Sequence, residues 1–154
     1  MSVIESTLSN NILFVSMLAW LLAQGAKILL AFFLGRKLSF WMLMESGGFP
    51  SSHSALVSAM AVQVGQVAGW DTPIFAVCLI FAFVVMYDAA GVRRAAGEHA
   101  YLINEIIDRL DLSHIHKSSK KAEDEKKRLK ELIGHTPFEV FGGAVVGVLI
   151  AILL

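Results

Sequence analysis

The chain has 154 residues, is 56% hydrophobic and 17% charged, and balances thirteen Lys and Arg against thirteen Asp and Glu. Its length suits one domain, and an apolar share well above the ~45–50% of soluble domains excludes an ordinary soluble globule. The zero net charge leaves no overall basic field for nucleic acid, and a lone cysteine, Cys78, excludes both an intrachain disulfide and a CxxC metal or redox pair.

Met1–Asn11 carries Glu5 and no Lys or Arg, so it lacks the basic start of a cleaved signal peptide. The apolar run that follows is therefore expected to stay in the mature protein. That run, Ile12–Leu34, has Lys27 as its only charge, and at ~1.5 Å per residue it can cross a ~30 Å hydrocarbon layer. Beyond Arg36 and Lys37, the segment 38–50 includes Phe40-Trp41-Met42-Leu43-Met44, too short to span, and reads as interfacial or re-entrant. A second span is expected over 51–70, with Gln63 and Gln66 as internal polar groups. Asp71-Thr72 then makes the tight turn of a helical hairpin.

The third span covers 73–92 with Asp88 as its one charge, and the fourth covers 137–154 with Glu139 as its one charge. Between them, 93–135 is a polar insertion. It reads as an amphipathic helix from Ala95 to about Leu112, a charged stretch Ser113–Lys127, and a short Lys/Glu helix to Ile133. The fold class is therefore all-α: a single membrane domain, 1–154, built as a polytopic bundle of about four transmembrane helices plus a cytoplasmic helical insertion.

Four spans place 35–53 and 93–136 on one side and both termini on the other. Twelve of the thirteen Lys and Arg fall on the first side, which the positive-inside rule makes cytoplasmic, with both termini outside. The polar residues of the spans, Lys27, Ser51–Ser54, Asp88 and Glu139, lie toward that same face. Such costly groups carry a functional expectation by default.

Three patches gather there. Gly47-Gly48-Phe49-Pro50-Ser51-Ser52-His53-Ser54 is a Gly-rich turn running into a helix N-terminus, suited to an anion and equally readable as a Ser-capped helix. The patch around Asp88, Arg93 and Arg94 offers its two arginines as planar, multidentate donors for phosphate. Its plainer reading is two interfacial anchors, an Arg94–Glu98 i,i+4 pair, and Asp88 balancing Lys27 or an arginine. In Gly134–Gly143, Thr136, Pro137 and Glu139 form a capping box, and Gly143 with Gly147 makes a small-residue packing face. There Glu139 also stands four residues after His135, where a carboxylate can hold and polarise the imidazole, although a cap at Thr136 puts His135 just outside the helix and loses the ideal i,i+4 geometry.

In this order the patches resemble the type 2 phosphatidic acid phosphatase and vanadium haloperoxidase superfamily, and most of all its divergent branch of small bacterial and plant membrane proteins. Lys27 and Arg36 match its first element, Pro50-Ser51-Ser52-His53 its second, Arg93 or Arg94 the arginine of its third, and His135 with Glu139 its last. Ser52 stands where the superfamily has Gly, Glu139 where it has Asp, and about forty residues separate Arg94 from His135.

The resemblance implies that His135 is a nucleophile forming a phosphohistidine, oriented by Glu139, and that His53 protonates the leaving oxygen. Lys27, Arg36 and an arginine at 93–94 would hold the phosphate oxygens, with neither metal nor cofactor. Apart from the resemblance, the residues themselves add the Ser51 and Ser52 hydroxyls as further phosphate donors and Asp88 as support. The function so implied is hydrolysis of a lipid phosphate or isoprenoid diphosphate at a bacterial inner or plasma membrane. The alternatives are a non-catalytic lipid-phosphate binder or transporter that keeps the anion pocket, and a metal or ion carrier using Asp88, Glu98 and His99. Four spans fall short of the superfamily's six-helix core, which leaves a homodimer or a re-entrant 38–50 segment to complete it.

Overall fold

The computed structural model describes residues 5, 7, 9–35, 47–110 and 134–154. Arg36, most of the 38–50 segment and the charged stretch 113–127 lie outside the described residues. Among the described residues the chain is helical and contains no strand.

Helix α1 (Asn11–Phe33) starts where the Asn10 side chain accepts from the Leu13 N–H at 3.1 Å. It closes at Gly35, whose φ of 67° suits glycine best. Helix α2 (Ser52–Ala68) is capped by Ser51 and stopped by Gly69, at φ 104°. Trp70 then folds back over Gly65, where any Cβ would strike the indole, and stacks edge-on against Phe75 at 5.1 Å. Thr72 caps helix α3 (Pro73–Ala90), with Pro73 in the first turn, where a missing N–H costs nothing. Gly91 separates α3 from the amphipathic helix α4 (Val92–Arg109), and helix α5 (Pro137–Leu153) ends the fold.

Helix α2 is the axis of the bundle, packed against α1, α3 and α5. Its sequence explains this: it is rich in Ala, Ser and Gly, and Ala55, Ala59, Gln63 and Gly65 are among its many buried positions. Small residues let backbones approach closely, which drives helix association where the surroundings are as apolar as the side chains. The closest approach is with α5, where a Cβ on Gly143 would meet the Ser51 carbonyl and one on Gly147 the Ala55 carbonyl. Gln63 strengthens the same seam by donating from Nε2 to the Ala151 carbonyl at 2.9 Å.

Helix α3 is peripheral, burying Ala82 and Ala89 and presenting Val77, Ile80, Phe83 and Val84 outward. Exposed apolar surface of that kind is expected toward lipid. Asn11–Phe33 and the stretch Pro73–Arg109 are long and apolar enough to cross a membrane; Pro137–Leu153 is a shorter apolar helix. The amphipathic helix expected from Ala95 begins earlier, at Val92, directly after the Gly91 break.

Candidate functional site

Three chain segments meet at one end of the bundle. Residues 47–51 lead into α2, and the Ser51 N–H donates to the Glu139 carbonyl at 3.0 Å. The turn passes close to the Gly134 carbonyl at Gly47, and Gly48, at φ 97°, lies against the methylene stem of Lys27. Lys27 is only 6% exposed, within α1. Its hydrocarbon stem is thus used as packing, while its charge lies near enough to act on His135.

The α3–α4 junction supplies the second segment and residues 134–139 the third. The His135 N–H donates to the Ala89 carbonyl at 3.0 Å. Just before it, Gly134 lies so close to the Arg94 backbone that no Cβ fits. Thr136 begins α5 with a capping box: its N–H donates to Glu139 Oε2 at 2.9 Å, and the Glu139 N–H donates to Thr136 Oγ1 at 3.3 Å. His135 is therefore tied by one backbone bond to a partner far from it in sequence, across the polar insertion, and is followed directly by the capping box.

The His135 side chain is 2% exposed, and neither ring nitrogen has a hydrogen-bond partner among the described residues. A buried polar group without a partner is uncommon and calls for an explanation. Its ring centre lies 6.4 Å from that of His53, nearly perpendicular at 81°. Between them opens a cavity of about 30 Å³ lined by His53, Val85, Asp88, Ala89, Arg93 and His135.

Burial, reinforced by the positive charges of Lys27, His53 and Arg93, pushes the His135 imidazole down to about 4. It is neutral at physiological pH, with a lone pair to offer. The unfolded chain binds this proton near the usual ~6.5, so His135 favours the folded state above that pH. The contribution is lost as pH falls from there toward 4. An NMR titration of His135 is expected to show a midpoint well below the ordinary histidine value; a midpoint at or above it contradicts the site's electrostatics.

The two arginines part company. Arg93 Nε donates to Asp88 Oδ2 at 2.6 Å and lines the cavity, whereas Arg94 Nε donates to Glu98 Oε1 at 3.0 Å within α4. The cavity wall does not include Lys27, Ser51, Ser52 or Glu139. Ser51 Oγ accepts from both the N–H and the hydroxyl of Ser54, at 3.4 and 3.0 Å, as an N-cap.

The expected carboxylate hold on the imidazole takes another form: Glu139 is engaged with the Thr136 backbone, because the cap at Thr136 leaves His135 outside the helix and removes the i,i+4 geometry. Nor do Asp88, Glu98 and His99 assemble. Among the described residues no three metal-ligating side chains come together, and both carboxylates are paired with arginines. Sequence reasoning did not find the Ala89 carbonyl or Val85. Neither carries a local signal, since a backbone carbonyl is the same at every residue.

A family model described as "Divergent PAP2 family" matches residues 8–150. The Bacillus subtilis (strain 168) protein titled "Uncharacterized membrane protein YuiD" is 43% identical over 152 residues, covering 96% of this chain and 95% of that protein. No solved structure matches the chain.

Proposed function

Because the chain belongs to the divergent PAP2 family, we propose that it is an integral-membrane phosphatase acting on a lipid phosphate or isoprenoid diphosphate. The observation that carries this reading is His135, a buried imidazole with two uncommitted nitrogens among the described residues, beside His53 and a cavity edged by Arg93.

In the proposed reaction a ring nitrogen of His135 attacks phosphorus, the P–O bond to the leaving group breaks, and His53 gives its proton to the leaving oxygen. Water then attacks the phosphohistidine, His53 takes up a proton, and the P–N bond breaks to release phosphate. Arg93 and Lys27 offset the charge on the phosphoryl oxygens together with the N–H groups at the start of α2. Arg36 takes the same role by the family pattern. Glu139 acts on His135 through the capping box, by fixing the backbone from which the imidazole projects.

The test is phosphate release by purified protein from a panel of lipid phosphates, with chelator present. Vanadate-sensitive release supports the proposal. Binding of the same lipids without release from any of them would favour the non-catalytic binder.

Arg93 and Arg94 are expected to differ sharply. Arg93→Ala should lower turnover by roughly 10²-fold, as loss of a charged donor to the transition state does. Arg94→Ala, which removes an exposed i,i+4 pair, should stay within about threefold. Equal, modest effects in steady-state kinetics would make both residues interfacial anchors.

The site-bearing face is proposed to be cytoplasmic, since eight Lys and Arg in 105–133 oppose translocation and the first eleven residues have none. In a Cys78→Ser background, Ser118→Cys should resist a membrane-impermeant thiol reagent in intact cells and react after permeabilisation, and Ser2→Cys should do the reverse. Labelling of the Ser118→Cys protein in intact cells overturns the orientation.

A further inference from the structure

We propose that Asp88 is the positioning residue for the phosphate-binding arginine, and that the helix break at Gly91 brings the two together. The inference rests on the phosphatase reading above and adds a residue that has no counterpart in the motif pattern.

In an uninterrupted α-helix, residues five apart lie about 140° apart and do not face each other. Asp88 and Arg93 are five apart, yet their side chains meet at 2.6 Å. The reason is Gly91, whose φ of −108° and ψ of −85° leave the helical region. Its N–H closes α3 on the Tyr87 carbonyl at 2.8 Å, and α4 begins without a side-chain cap. The displaced turn carries Arg93 over the last turn of α3.

Arg94 makes the contrast. One residue further on, it meets Glu98 by the regular i,i+4 spacing inside α4 and lies outside the cavity wall. Of two adjacent arginines, the one held by the preceding helix lines the cavity with both histidines, and so does the carboxylate that holds it.

The bond to Asp88 engages Nε. Among the described residues both Nη groups of the fork remain for the oxygens of a phosphate, and an arginine so anchored has less side-chain freedom left to lose when phosphate arrives. Stability alone is a poor explanation for the pair, because its side chains are 51% and 38% exposed and ion pairs so exposed contribute little. Nor is a carboxylate beside an anion site favourable in itself, since it repels the ligand. The two roles therefore predict opposite signs. As a mere neighbouring charge, Asp88 weakens phosphate binding; as the anchor of Arg93, it strengthens it.

The experiment is binding of inorganic phosphate to the purified full-length protein, alongside kcat and KM for a lipid phosphate. Asp88→Asn is expected to weaken phosphate binding about tenfold, the low end for a charge-assisted bond at a half-exposed site. It should raise KM by a similar factor and leave Tm unchanged, and Asp88→Glu should recover most of the loss. In an Arg93→Lys background, where no Nε–H remains to be held, Asp88→Ala should cause no further weakening.

Asp88→Asn binding phosphate as tightly as the wild type, or more tightly, overturns the proposal. A wild-type protein that binds phosphate but hydrolyses no lipid phosphate defeats the phosphatase reading, and the Asp88 assignment then stands or falls on the binding of its variants. A wild-type protein that neither binds phosphate nor hydrolyses a lipid phosphate overturns both, and one that hydrolyses with KM unchanged by Asp88→Asn overturns the Asp88 assignment alone.

Discussion

His135→Ala is expected to abolish phosphate release, a loss of about 10⁴-fold or more, because a covalent route has no substitute for its nucleophile. Inorganic phosphate should still bind within a few fold, since Lys27, Arg93 and the start of α2 are untouched. Thermal stability should fall only by what the space left by a buried ring costs, with no further loss from a broken hydrogen bond. The imidazole makes no hydrogen bond among the described residues, and the tie that locates this segment is the His135 N–H to the Ala89 carbonyl, which alanine keeps. Hydrolysis by this variant at a rate near wild type removes His135 from the chemistry. Loss of phosphate binding along with turnover, in a folded variant, assigns it to binding instead.

Gly143→Val should be the most disruptive single change in the bundle. The new side chain would meet the carbonyl, carbon and nitrogen of Ser51, all backbone atoms of the segment that opens α2. Backbone cannot swing aside as a side chain can, so α5 must withdraw. We expect a cost of about 3 kcal/mol or more, at the upper end for overpacking. The same displacement pulls Ser51 from its bond to the Glu139 carbonyl, so activity should fall with Tm. Gly25→Ala is the control: a Cβ there meets nothing within 4 Å, and alanine mid-helix is better than glycine by roughly 0.5–1 kcal/mol. Equal thermal midpoints for Gly143→Val and wild type would contradict the close packing of α2 and α5.

Several of these features are legible in the sequence because their signals are local. Thr136, Pro137 and Glu139 spell a capping box at fixed offsets, and the box forms. Gly143 and Gly147, one helical turn apart, announce a close helix contact, though not its partner. The start of α2 was readable from Ser51 in the same way. What stayed hidden depends on residues far apart or on how one local conflict is settled. Glu139 could cap the helix or hold the imidazole, and only the position of the first helical turn, after His135, decides for the cap.

The choice between Arg93 and Arg94 turned on Gly91. A glycine within a helical pattern is as often tolerated as disruptive, and here it ends one helix and starts another. The contact between His135 and Ala89 lay beyond any pattern, because it joins backbone to backbone across the long polar insertion. Likewise the packing of the Lys27 stem on Gly48 needs both helix α1 and the 47–51 turn in place.

The most direct test of the central reading is to trap the covalent intermediate. Purified protein is quenched during turnover of a ³²P-labelled lipid phosphate in the presence of chelator, and the label is mapped. Label on His135, stable in alkali and released in acid as a phosphoramidate is, and absent from His135→Ala, is the predicted result. Phosphate release by the wild type with label on another residue, or with no label retained under conditions that stabilise a phosphoramidate, contradicts a phosphohistidine at His135.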